Sequence, residues 1–205
     1  HLIRKYPQTQ SRFIVLPIFE RYTHTRKFID LENNNDDKLK VVYAGGSQVW
    51  QNVELMMEMV KETIDDVSFT FLTHDKEVFE RKAAAAGVLE NVTIKTATKA
   101  ELPQIYAEHD LGFVLRDGNP VNTVSCPTKL SEYMDFGIVP IVKYQSLGDF
   151  ETFGYSYITE DEFRNLFLPD ATTRNKMIQN NYRAIQKLIH QFKKGSQELL
   201  ALIEK

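Results

Sequence analysis

Ser125-Cys126-Pro127-Thr128-Lys129-Leu130-Ser131-Glu132-Tyr133-Met134-Asp135-Phe136-Gly137-Ile138-Val139-Pro140-Ile141-Val142 reads as a helix that opens at a proline, closes at a glycine and runs into a buried strand. Pro127 suits the first helical position, where a missing N–H costs nothing. Gly137 suits the residue just past the helix end, where φ is often positive. Ile138 to Val142 is a short apolar run of the kind found in parallel sheets covered on both faces. Thr128 and Lys129 at the helix start would offer unpaired backbone N–H groups and a positive dipole end, which together favour an anion. Glu132 shares their face one turn further on. A carboxylate there repels phosphate and suits a pair of neighbouring hydroxyls. Phosphate above and a ribose diol below is the spacing of a nucleoside diphosphate. The same residues also suit a plain solvated helix with an N-terminal Pro-Thr.

Outward from this stretch, strand and helix alternate. Lys40 to Ala44 reads as a first buried strand, followed by Gly45-Gly46-Ser47 and a helix carrying Val53, Met57, Val60 and Ile64. Strand, glycine turn and helix form the phosphate-approach unit of Rossmann-like folds, but the full G-x-G-x-x-G fingerprint of dinucleotide binding is absent. Further strands are expected at Val67 to Thr73, Val92 to Lys95, Leu111 to Leu115 and Tyr155 to Ile158. Helices are expected at Lys76 to Ala86, around Leu102 to His109 and from Pro169 to Phe192. Gly195 is expected to interrupt the last of these, with Leu199 to Ile203 closing the chain. Asn119 to Ser125 reads as a polar loop. The alternation predicts an α/β fold: a Rossmann-like parallel sheet of about six strands with helices on both faces. Arg116 stands just past the fourth strand, where ligands of open α/β sheets bind. Its planar guanidinium suits a diphosphate, or it pairs with Asp117 or Glu132 instead. His74 follows the second strand and reads either as a surface histidine near a helix start or as a ligand contact at the carboxyl edge of the sheet.

Bulk properties narrow the function. The 205 residues are 42% hydrophobic and carry a net charge of −3, with no long basic run, which disfavours nucleic-acid binding. One cysteine, Cys126, rules out an internal disulfide and fits a reducing compartment. It reads as a partly buried structural thiol. No apolar run reaches the length of a membrane span. Glu160-Asp161-Glu162 reads as the acidic first turn of a helix rather than a metal cluster, and no bound metal or cofactor is expected. The chain opens at His1 in what reads as mid-helix. Phe13 to Phe19 reads as a strand stopped by proline, and Asn33 to Asp37 as a linker. The expected division is therefore the tail of a preceding domain with its linker (1–35), a nucleotide-binding domain (36–168) and C-terminal helices (169–205).

The series Pro127, Lys129, Glu132, Tyr133 and Gly137, followed by Pro140 and an apolar strand, resembles the donor-binding domain of GT-B glycosyltransferases, especially those of family four. The resemblance implies the C-terminal half of a GT-B fold and a transferase that moves a sugar from a nucleotide-sugar to an acceptor such as a cell-surface glycan. It places the enzyme in polysaccharide biosynthesis in the cytoplasm, peripheral to the membrane through a missing N-terminal acceptor domain. It implies that Glu132 holds sugar hydroxyls and that Thr128, Lys129 and Arg116 hold the diphosphate. Gly45, Gly46 and Ser47 would line the cleft, and Thr98 and Leu102 would flank the base. The family commonly has a basic pair after the glycine loop, where this chain has Gln48, Trp50, Gln51 and Asn52. It also commonly has a second glutamate eight positions before Glu132, where this chain has Val124. Asn122 is a substitute for that lost contact. These two departures suit an alternative, a non-catalytic nucleotide- or protein-binding module that has kept the fold. Without the acceptor domain the chain is expected to bind nucleotide and not to turn over.

Overall fold

The structure is a computed structural model that describes Ile14, Leu16, Pro17 and residues 38–203. The strand expected at Phe13 to Phe19, apart from those three residues, and the linker at Asn33 to Asp37 lie outside the described residues.

Six parallel strands form one sheet: β1 (Leu39–Ala44), β2 (Val67–Leu72), β3 (Val92–Lys95), β4 (Leu111–Val114), β5 (Val139–Val142) and β6 (Ile158–Thr159). Their spatial order is β3-β2-β1-β4-β5-β6. The direction of winding thus reverses between β1 and β4, which pair in register at Val41–Leu111 and Val42–Gly112. Such a reversal opens a crevice beyond the carboxyl ends of the two strands, because the loops leaving them diverge.

Alternation along the strands divides the core into two layers. Val41, Tyr43, Phe69, Phe71 and Phe113 point to one face. There they meet Val53, Met56 and Val60 of α1 (Val53–Thr63) and Phe79 of α2 (Lys76–Ala86). Val42, Leu72, Val114 and Val142 point to the other face. They meet Tyr106 of α3 (Leu102–Ala107), Leu130 and Tyr133 of α5 (Thr128–Phe136) and Ile185 and Leu188 of α8 (Ala171–Ile203). The Rossmann-like parallel sheet read from the sequence is the observed fold.

Several boundaries differ from expectation. Asn119 to Ser125 is not a loop throughout: Pro120–Val124 forms a short helix, α4, capped by the Asn119 side chain on the Asn122 amide. Asparagine before Pro is a strong helix start even where five residues are too few to show a period. Thr128, not Pro127, opens α5, because Pro127 has an extended ψ of 116°. β6 is only the pair Ile158–Thr159, since Tyr155 to Tyr157 find no ladder partner in β5. Gly195 does not break α8, which continues for 33 residues with Gly195 buried inside it. After the short α6 (Phe150–Phe153), Glu160, Asp161 and Glu162 do open a helix, α7 (Glu160–Arg164), behind a Thr159–Glu162 capping box.

Candidate functional site

A cleft of about 520 Å³ lies at the carboxyl edge of the sheet where β1 and β4 part. Its first wall is the turn after β1. Gly45 N–H donates to Leu72 O at 2.9 Å, so the turn starts while still held by β2. Tyr43 Oη donates to Gly46 O at 2.7 Å and fixes the next peptide. A Cβ on Gly45 would lie 2.8 Å from Tyr43 Oη and 3.0 Å from Lys129 Nζ, so only glycine fits between them. The Ser47 amide and hydroxyl both donate to Asp75 Oδ2, at 2.7 and 2.8 Å. Those hydrogen bonds hold the Asp75 carboxyl below the usual carboxylate range. Asn52, in the left-handed region at φ 54°, donates from Nδ2 to Leu115 O at 2.6 Å and joins this wall to the end of β4.

The opposite wall is the start of α5. Its N-cap residue, Pro127, makes no side-chain cap. Leu130 and Ser131 N–H both turn back to Pro127 O, at 3.0 and 3.4 Å. Thr128 and Lys129 are therefore the first two helical residues, whose N–H groups a helix cannot pair internally. Pro127 itself has no N–H to offer. Tyr133 anchors this helix beneath the cleft. Its buried Oη accepts from Ala44 N–H at 3.0 Å and lies 3.4 Å from Val42 O, to which it donates. Burial holds the phenol well above its ordinary pKa, so it stays a proton donor.

Two cations face the cleft. Lys129 Nζ lies 3.2 Å from Gln51 Oε1 and 3.7 Å from the centroid of the Tyr43 ring. Burial, and then the charge of Arg116, bring its pKa well below the ordinary lysine value, while Glu132 pulls the other way. Arg116 Nη1 donates to Asn122 Oδ1 at 3.3 Å. Among the described residues, the hydrogen-bonding partners of these two cations are the neutral amides of Gln51 and Asn122. Asp117 pairs with Lys143 at 2.7 Å instead of with Arg116. Glu132 sits one turn below Lys129 on the cleft floor, with Tyr106 Oη 3.4 Å from its Oε2.

Of the residues expected from the sequence, Gly45, Gly46, Arg116, Thr128, Lys129, Glu132 and Leu102 line this one cleft. Three do not. Ser47 is turned to Asp75. Thr98 is turned to Glu101, with its N–H and Oγ1 each 2.7 Å from Glu101 Oε2, and its neighbour Ala97 lines the cleft. Asn122 is buried behind Arg116, with its Nδ2 on Asp117 O at 2.8 Å, so it supports the guanidinium and does not face the cavity. His74 and Asp75 line the rim at the end of β2, which the position of His74 hinted at. Tyr43 and Tyr106 were not singled out as site residues. Tyr43 is the next-to-last residue of β1, two positions before Gly45-Gly46, and that placement is the available signal. Cys126 is half-buried, with a thiol pushed up to about 11 mainly by burial, which fits a structural thiol. Among the described residues no helix is long and apolar enough to cross a membrane, and no three His, Cys, Asp or Glu side chains cluster as metal ligands do.

No family model and no curated protein matches the chain by sequence. Solved structures do match it by shape. Against the GtfA/B complex the TM-score is 0.65 at 13% identity, covering 98% of this chain and 43% of that one. Against the pneumococcal O-GlcNAc transferase GtfA in complex with UDP and GlcNAc it is 0.58 at 13% identity, covering 100% and 43%. Against Anabaena HepE in complex with UDP-glucose it is 0.57 at 13% identity, covering 80% and 49%. The chain thus spans less than half the length of each of these structures, and identities this low establish likeness of fold alone. The fold of this chain is that of one Rossmann-like half of the GT-B glycosyltransferases.

Proposed function

We propose that the chain is the donor-binding domain of a glycosyltransferase and that its cleft takes a nucleoside diphosphate sugar. The observation that carries this reading is the pairing, on one helix face, of an uncapped amide-bearing start with a carboxylate one turn below. The diphosphate would lie on the Thr128 and Lys129 amides, between Lys129 and Arg116. Glu132 would accept hydrogen bonds from a sugar diol. Gly45 and Gly46 would let the backbone approach the phosphates, and Ala97 and Leu102 would flank the base. Negative charge grows on the diphosphate as the glycosidic bond breaks. Oriented amides and cations fixed in advance would therefore act most strongly in the transition state. The acceptor would come from a separate domain, so this chain alone binds and does not transfer.

Two features favour a second reading, a binding module without turnover. Val124 is exposed where the resemblance calls for an acid. Gln48 and Gln51 line the cleft where it calls for a basic pair. Calorimetric titration with UDP, GDP and ADP tests the binding common to both readings. We expect one of the three to bind, and Glu132→Ala to weaken it roughly tenfold or more, as loss of a charged hydrogen-bond partner does. No binding by any of the three removes both nucleotide readings. Binding without sugar transfer by the full-length protein leaves the second.

A further inference from the structure

This inference rests on the reading of the cleft just proposed and concerns how its deeper cation is placed. Lys129 Nζ stands over the Tyr43 ring, 3.7 Å from its centroid. That ring has little freedom of its own. Tyr43 is fully buried, its ring stacks on Phe79 at 5.6 Å and 28°, and it leans on Phe71 at 6.3 Å. Its hydroxyl is occupied by Gly46 O at 2.7 Å. The ammonium and the glycine turn therefore rest on one immobile side chain, with Gly45 close against both.

We infer that Tyr43 is a positioning residue for the proposed diphosphate site, its ring holding the Lys129 ammonium beside the glycine turn and its hydroxyl fixing that turn. The choice of a ring has a chemical consequence. A carboxylate hydrogen-bonded to Lys129 would have to be displaced by an arriving phosphate. A ring face attracts the cation through its quadrupole and takes up no conventional hydrogen bond. An ammonium has three N–H donors, and Gln51 is within reach of one. The arrangement keeps the charge in place and leaves hydrogen-bonding capacity for an anion. It also removes the cost of ordering a flexible four-carbon chain when the ligand binds.

A double-mutant cycle read by UDP affinity separates this role from general support of the fold. Tyr43→Phe keeps the ring and loses the hydroxyl, while Tyr43→Leu loses both. With Lys129 present, we expect the two variants to differ by about tenfold in UDP affinity, the scale of a desolvated cation–π contact. In a Lys129→Met background the same pair should differ by less than about twofold. Equal differences in both backgrounds overturn the inference, as does a Tyr43→Leu chain that binds UDP as tightly as the parent. A readout without ligand guards against a variant that folds poorly. The ε-methylene resonance of Lys129 should be displaced by the ring current in the parent and in Tyr43→Phe, and the same resonance at an ordinary lysine position in the parent overturns the placement. A parent that binds none of UDP, GDP and ADP sinks the cleft reading itself. A parent that binds UDP while the Tyr43 variants behave like it sinks this inference alone.

Discussion

Lys129 carries an electrostatic cost in the ligand-free fold. Burial and the neighbouring Arg116 lower its pKa well below the ordinary value. The unfolded chain therefore binds the proton more tightly than the folded one. Stability of the ligand-free protein should rise with pH between the folded pKa and about 10.4, the unperturbed lysine value. Below the folded pKa the full cost of holding the charge in this half-buried place is present. Lys129→Met should abolish that slope and raise the melting temperature at neutral pH by a few degrees, on the order of 1 kcal/mol. It should at the same time weaken nucleotide binding. Thermal melts across pH on both chains check this, and an unchanged slope would show that the lysine is not the group responsible. Helical spacing alone puts Lys129, Thr128 and Glu132 on one face, and the structure places that face in the cleft. Ser47 turns to Asp75, which lies 28 positions away on another strand end. No local spacing rule reports such a pair. Asn122 is a similar case: its side chain is engaged by Arg116, which lies outside its own helix.

Among the elements, α5 depends on how closely it can approach β4 and β1. Gly112 makes the approach possible, since a Cβ there would lie 2.5 Å from the Tyr133 ring. Tyr133 then reaches the backbone of β1 at Ala44 and Val42. Tyr133→Phe should leave the packing intact and strip the Ala44 N–H of its partner, costing roughly 1–3 kcal/mol. Urea unfolding should show a lower midpoint with an unchanged slope; an unchanged midpoint would mean that water replaces the hydroxyl. The turn at Gly148 supports α5 from the other side. Gly148 has φ 54°, and a Cβ there would come 2.2 Å from Ser125 O, a backbone atom just before the helix. Gly148→Ala should therefore shift the start of α5, destabilising the protein by about 1–3 kcal/mol and weakening nucleotide binding with it. Loss of stability with binding unchanged would separate this turn from the site. Strands such as Val92–Lys95 and helices such as Lys76–Ala86 were legible because apolar runs and a closing glycine mark them locally. α4 escaped because one turn has no period, and β6 was overdrawn because pairing, not composition, decides where a strand begins. Gly195 misled because glycine marks helix ends only where the chain is free to turn, and here it is buried within a helix.

For the molecule as a whole, the sequence predicted a parallel sheet but contained no statement of strand order. That order is what makes a site. With β1 and β4 adjacent at the reversal, the glycine turn and the start of α5, more than 80 residues apart in the chain, become the two walls of one cleft. A ligand bound across these walls must stabilise both together. Anything that binds only the folded chain at 100 times its dissociation constant adds about 2.7 kcal/mol, which for a chain of this size raises the melting temperature by roughly 5–10 °C. The gain should shrink as salt is added, because an anion held by Lys129 and Arg116 in an open cleft is partly screened. Hydrogen exchange with and without the best-binding nucleotide locates the effect. Protection should rise at Gly45 to Gly46 and at Thr128 to Leu130, and the exposed end of α8 around Leu199 to Ile203 should not change. Added protection confined to α8, or spread evenly over the sheet, would place the ligand elsewhere and leave the cleft without its proposed occupant.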